Sequence, residues 1–222
     1  MYIDKFPRTG LTPNQMCAVS DYFDWEEHNK KKPNEACTFE EWVGEDRAKA
    51  LVGEPIRELL RPYISTTYLA WDVEKNYPNT SISTNVAYWR KANAIHQYFV
   101  DMVQDGEDDC DFHNEITREI LLDLLDKCMQ IKRKCPLENG KVANGYRFDN
   151  NGNKIYDYVD GKVMTNIEIA DELLPSQEGF FFGSTDYDEY YMNDIDDTIN
   201  QITKILTETD FEKEVLYYVS SW

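Results

Sequence analysis

Cationic side chains are scarce in this chain. Its 222 residues hold 23 lysines and arginines against 42 aspartates and glutamates, a formal net charge of -19. An acidic surface repels nucleic acid and anionic membranes at long range, so neither is expected as a direct partner. Two partner classes remain: a small ligand held in a local pocket, or a nucleic-acid-binding host protein deceived by spaced carboxylates. High negative charge also serves solubility alone. Long apolar runs are missing too. None approaches the roughly 18 residues of a membrane-spanning helix, and none follows the charged start Met1-Tyr2-Ile3-Asp4-Lys5, so no signal peptide is expected.

Metal-binding residues are few. There are three histidines, and the five cysteines (Cys17, Cys37, Cys110, Cys128, Cys135) include no CxxC pair. Zinc sites want closer pairs with histidines beside them, so no metal is expected and the cysteines read as reduced. Phosphate-loop, HExxH, hydrolase-elbow and dinucleotide patterns are absent, and with them any sequence ground for a cofactor.

What the chain does have is core. Hydrophobic residues make up 41% and aromatics 14%, with 15 tyrosines, enough to exclude a disordered chain. The expectation is a mainly helical α+β fold, three long packed helices with a small antiparallel sheet. Residues 1–85 read as a helical N-terminal extension and 86–222 as a core domain with a β-meander inserted at about 139–166. In the extension, Thr12-Pro13 opens a helix through about Asp24. A basic loop follows at 29–34, Thr38 to Glu41 forms a capping box, and Glu54-Pro55 starts a short helix. Ser65 to Trp71 has the composition of a strand.

The cleanest helix pattern runs from Asn85 to Gln104. Tyr88, Ala92, Ile95, Phe99, Met102 and Val103 fall on one apolar stripe. Beside it lie Trp89, Asn93, His96 and Val100, with Arg90 and Gln104 just beyond. A second helix covers Glu115 to Lys134, with Ile116, Ile120, Leu121, Leu124, Leu125, Cys128 and Ile131 inward. In the meander, Asn-Gly and Asp-Gly pairs supply turns. The row 149–153 fits a hairpin turn better than a calcium loop, because Gly152 stands fourth and no glutamate closes the loop. Gly179 to Gly183 reads as an apolar strand able to pair with the tail from Val215. Thr185 with Asp188 reads as a capping box for a last helix from Asp186 to Thr207.

Trp89-Arg-Lys-Ala-Asn93, Ile95-His96, Val103-Gln104, Gly106 with Asp108-Asp109-Cys110, Leu174-Pro175, Gly179 to Tyr191 and the Ser220-Ser-Trp end resemble a family of small phage and prophage proteins. The likeness covers about 86–135 and 173–222. That family has no assigned activity, so the resemblance implies a phage or prophage origin and no catalytic residues; the absence of a signal peptide or spanning segment points to the cytoplasm of a bacterial host.

Site chemistry rests on the polar border of the 85–104 helix. Trp89 could stack a flat ring, Asn93 and His96 read its polar edges, and Arg90 with Ser184 and Thr185 hold an anion. The competing reading is structural: a packed Trp89, a hydrogen-bonded His96, a solvated Arg90, and Ser184 and Thr185 as helix caps. The leading expectation is a non-enzymatic protein that binds a small nucleotide-like ligand and sequesters a host immune signal, closed by a homo-oligomer. An acidic mimic, using Asp186, Asp188, Glu189, Asp194, Asp196 and Asp197, is the alternative. A small enzyme is third: His96 with Cys110, or a metal held by Asp108, Asp109, Asp111 and His113.

Overall fold

Strand β1 (Tyr2–Pro7) precedes helix α1 (Pro13–Lys31) and three short helices, α2 (Phe39–Val43), α3 (Glu45–Lys49) and α4 (Glu54–Leu60). Strands β2 (Ser65–Tyr68), β3 (Pro78–Ser81) and β4 (Thr84–Tyr88) lead to α5 (Asn93–Val103) and α6 (Arg118–Lys134). A long ribbon, β5 (Leu137–Phe148) with β6 (Lys154–Met164), is followed by α7 (Ile167–Leu173), α8 (Glu189–Glu208) and β7 (Glu214–Val219). These elements come from a computed structural model, which describes residues 1–68, 78–108, 110–112, 114–152, 154–178 and 184–220. The fold is α+β. β2 with β3 and β5 with β6 are antiparallel pairs, and a three-stranded sheet has the order β4-β1-β7. No helix among the described residues is long and apolar enough to cross a membrane.

The chain divides into two compact units. One comprises Asp4–Asn85 with Asp210–Val215; the other comprises Met1–Ile3, Val86–Thr209 and Leu216–Trp222. In the first, Thr12 and Gln15 form the capping box of α1, with Pro13 in the first turn. The helix does not stop near Asp24. The i,i+4 pairs Lys30–Glu26 (3.2 Å) and Lys31–Glu27 (3.1 Å) carry it to Lys31, into the first half of the expected basic loop at 29–34. Its inner face of Met16, Val19 and Phe23 is buried. Asp24 accepts the Thr80 N–H at 2.9 Å and Ser20 accepts that of Ile82 at 3.0 Å, fixing α1 against β3. The Thr38–Glu41 capping box opens α2 as its spacing predicts. Of the strand expected over 65–71, the first four residues form β2 and the last three lie outside the described residues.

In the second unit α6 packs along α8, burying Leu121, Leu124, Cys128 and Ile131 on one and Tyr191, Ile195, Ile202 and Ile205 on the other. Lys132 closes that contact on Asp196 at 2.6 Å. The helix expected from Asn85 begins only at Asn93, because the β-branched and extended run Thr84–Tyr88 joins the sheet as β4. α5 is therefore eleven residues long. Its buried face is also wider than the apolar stripe. Trp89, Asn93, His96, Val100 and Gln104 are buried with it, whereas Tyr88 and Met102 are exposed.

The expected meander is one two-stranded hairpin. Asp160-Gly161 makes no turn; it lies inside β6, where Gly161 faces Gly140. A Cβ at Gly161 would meet Val142 Cγ2 at 2.5 Å, and one at Gly140 would meet Val163 Cγ2 at 2.6 Å. These glycines let each strand's valine lie across the other. Gly145, at φ 97°, sits in the bulge between Ala143 and Tyr146. The base of the hairpin is tied to the start of α8 by a bridge between Val163 and Asp188. The expected strand Gly179–Gly183, and its pairing with the tail, lie outside the described residues.

Candidate functional site

A cavity of about 320 Å³ opens where the loop into α5 faces the loop into α8. Residues 90–95 supply one wall and residues from Ser184 to Ile195 the other. The first wall brings Arg90 and Lys91, both exposed and without a hydrogen bond or ion pair among the described residues. Lys91 holds φ 65°, the left-handed region that a non-glycine residue adopts at a cost of about 1–2 kcal/mol. That turn ends the extended segment and lets Asn93 start a helix.

The second wall is acidic and aromatic. Asp188, not Thr185, caps α8: its Oδ1 accepts the N–H groups of Tyr190 at 2.8 Å and Tyr191 at 3.2 Å. Burial raises its carboxyl above the ordinary range, and those two donors oppose the rise. Asp194 lies further along the helix. Burial, with Asp197 and Asp188 nearby, pushes its carboxyl up to about 6. No hydrogen-bond donor among the described residues offsets that desolvation. Tyr190 lines the cavity with 58% of its surface exposed.

The six residues singled out by the sequence separate here. Arg90, Asn93 and Ser184 line the cavity. Trp89 does not: it is 2% exposed, packs 5.8 Å from the Phe99 ring, and donates its indole N–H to Thr198 Oγ1 at 2.9 Å. A side chain so enclosed has no face to offer a ligand, and core packing accounts for it. Asn93 spends its amide within the protein, donating to the Ser184 carbonyl at 3.1 Å and accepting from Gln177 N–H at 3.1 Å and Ser176 Oγ at 3.3 Å. It shapes the cavity by holding the 176–177 and 184 segments together. Ser184 Oγ accepts the Asp186 N–H at 3.0 Å. Thr185 is not among the lining residues. Because Asp188 already occupies the first N–H groups of α8, the Ser184-Thr185 turn offers no open helix end to an anion.

His96 lies elsewhere, buried at 3% exposure. Its Nε2 is 3.2 Å from Asp108 Oδ2 and its Nδ1 is 2.6 Å from the Tyr218 hydroxyl. Burial pushes the Tyr218 phenol up, so it stays protonated and can donate to Nδ1 while Nε2–H points to the carboxylate. Burial lowers the imidazole's own pKa, and Asp108 works against that. Ser220 donates to Asp108 Oδ1 and stands 3.8 Å from Cys110 Sγ. This buried chain joins α5, Asp108 and Cys110 to the end of β7. It reads as a structural lock, with both histidine nitrogens engaged.

Asp109 and His113, half of the candidate metal set, lie outside the described residues. Among the described residues no group of three or more His, Cys, Asp and Glu could hold a metal ion. The α8 acids do not form an even ladder: Asp188 caps, Asp194 is half-buried, and Asp196 pairs with Lys132. Sequence reasoning misses Lys91, Tyr190, Asn193 and Asp194 as lining residues. The one legible signal is Asp194, an acid beside Ile195 on the border of a buried stripe.

No protein-family model matches the chain, and no curated protein or solved structure compared with it does either.

Proposed function

We propose that this is a non-enzymatic phage or prophage protein whose cavity between 90–95 and 184–195 binds a small nucleotide-like ligand, so sequestering a host immune signal. The observation that carries the reading is the cavity's lining: around about 320 Å³ stand two cations unpaired among the described residues, an exposed tyrosine ring and a half-buried carboxylate. That volume is at the small end of ligand pockets. Arg90 and Lys91 would take a phosphate, with the guanidinium able to engage it through two N–H groups. Tyr190 would stack the flat ring, worth about 1–3 kcal/mol. Asn193 and Asp194 would accept or donate at its polar edge. Sequence resemblance supports the phage setting; the cavity supports the ligand class.

Thermal-shift titration against mononucleotides and cyclic dinucleotides tests this. A binder gains about 2.7 kcal/mol at a hundredfold excess over the dissociation constant. Arg90→Ala and Tyr190→Ala should lose that gain while melting like the parent without ligand. A parent protein that no nucleotide shifts would sink the proposal. The acidic-mimic alternative draws less support, since four of its six helix acids, Asp188, Glu189, Asp194 and Asp196, are buried or half-buried.

A further inference from the structure

The outer part of the β5–β6 ribbon is solvated on both faces. Of its described side chains at 144–152 and 155–160, all but Asp149 are exposed. A lone two-stranded ribbon is marginal in water and wants a covered face. Strand alternation and the Tyr146–Tyr156 pairing put Tyr146, Phe148, Tyr156 and Tyr158 on one side. They are 53%, 61%, 48% and 61% exposed. Tyr146 meets Phe148 edge-on at 5.5 Å and lies 6.2 Å from Tyr156, so these three rings adjoin, with Tyr158 on the same face. Scattered apolar residues need no explanation, but four exposed rings on one face of an uncovered ribbon do.

Charge selects the occupant. The ribbon, 137–164, carries four bases and four acids, so the whole excess of negative charge lies in the rest of the chain. Two of its charge pairs close across the strands, Lys141 with Asp160 at 2.6 Å and Arg147 with Asp157 at 3.9 Å. With no cationic surplus on an acidic protein, the patch suits neither a nucleic acid nor an anionic membrane. It does suit another neutral, aromatic ribbon. Two copies meet the least repulsion when they approach by this neutral surface.

We propose that two copies of this chain pair through the Tyr146, Phe148, Tyr156 and Tyr158 face of the ribbon about a two-fold axis. A two-fold contact places a patch on itself, and edge-to-face rings are self-complementary. Half-exposed rings would bury about 400–500 Å² on each copy, near the lower bound of about 1,000 Å² in total for a specific interface. The dimer is therefore weak and concentration-dependent.

Sedimentation velocity on the full chain, from low micromolar to several hundred micromolar, measures it. The expected result is a reversible dimer that persists or strengthens at high salt, because apolar burial is not screened. The double variant Tyr156→Ser with Tyr158→Ser should weaken it tenfold or more while leaving the circular dichroism unchanged. Tyr146→Ser with Phe148→Ser, on the other strand, should do the same. A protein monomeric throughout, or a dimer that both double variants leave equally tight, overturns the proposal.

Discussion

Replacing Asp194 by asparagine should stabilise the protein at neutral pH and do almost nothing in acid. The folded carboxyl titrates at about 6, against 3.8 for the ordinary group. Below about pH 4 both folded and unfolded chains carry the proton, and the residue costs nothing. As pH rises, the unfolded chain loses its proton first, so stability falls through the interval from 3.8 to about 6. Above that interval both states are charged and the full penalty stands. This is the reverse of a salt-bridged carboxylate, whose stabilisation appears as pH rises. A pKa displaced that far corresponds to about 3 kcal/mol. Asp194 keeps some contact with water, and screening there reduces the figure to about 1–2 kcal/mol. Asparagine has the same shape without the charge, so it removes that penalty. Urea unfolding of both proteins at acid and neutral pH reads the difference. The midpoints should nearly coincide in acid and separate at neutral pH, with the variant the more stable. A gap of equal size at both values would mean a packing or helix-propensity effect, and no gap at neutral pH would mean that the carboxylate is adequately solvated. Either result would refute the reasoning.

The remaining predictions concern the parts around the cavity. Trp89→Ala should cost about 3–5 kcal/mol in denaturant unfolding, as expected of a buried aromatic, and Trp89→Phe about 1 kcal/mol for the hydrogen bond to Thr198. Gly161→Ala forces a Cβ against Val142 and Glu189; it should cost about 1–3 kcal/mol and reduce hydrogen-exchange protection across 137–164. His96 has its pKa lowered by burial, so the unfolded chain takes up a proton first and the stability it contributes declines as pH falls through its ordinary value of about 6.5. His96→Gln, which cannot charge, should therefore lose less stability in mild acid than at pH well above neutral, as read from thermal melts.

Much of the fold was legible where one local rule decided the outcome. The helix start at Thr12-Pro13, the capping box at Thr38 and the inner face of α6 follow from local pattern alone. What failed were positions where a distant partner overrides the local rule. Thr84–Tyr88 fits a helical period with the residues after it, yet its sheet neighbour is β1, more than seventy residues earlier. Asp160-Gly161 is a strong turn signal, but the turn is lost to a facing glycine at 140. The polar border of α5 fails similarly as a ligand site. Trp89 and His96 look functional only while their partners Thr198 and Tyr218 are unseen, and those lie over a hundred residues away. A polar residue on a buried face signals that a partner exists; it does not say whether that partner is the protein or a ligand.

The distinction between Trp89 and Asp194 rests on the same accounting. Each polar group in the Trp89–Thr198 and His96–Asp108–Tyr218 contacts is satisfied, so those residues stabilise the fold and need no ligand to explain them. At the cavity three local preferences are broken together: Lys91 holds a left-handed backbone, Asp194 is desolvated without a donor among the described residues, and the Tyr190 ring faces solvent. The first two each make the folded chain less stable than a simple substitution would. Such departures are expected to gather where something other than folding is selected. Their convergence on one cavity, while the buried histidine cluster is fully paired, favours Arg90, Lys91, Tyr190 and Asp194 as the ligand-binding set. On the proposed reading, the Asp194→Asn exchange raises stability and weakens ligand binding together.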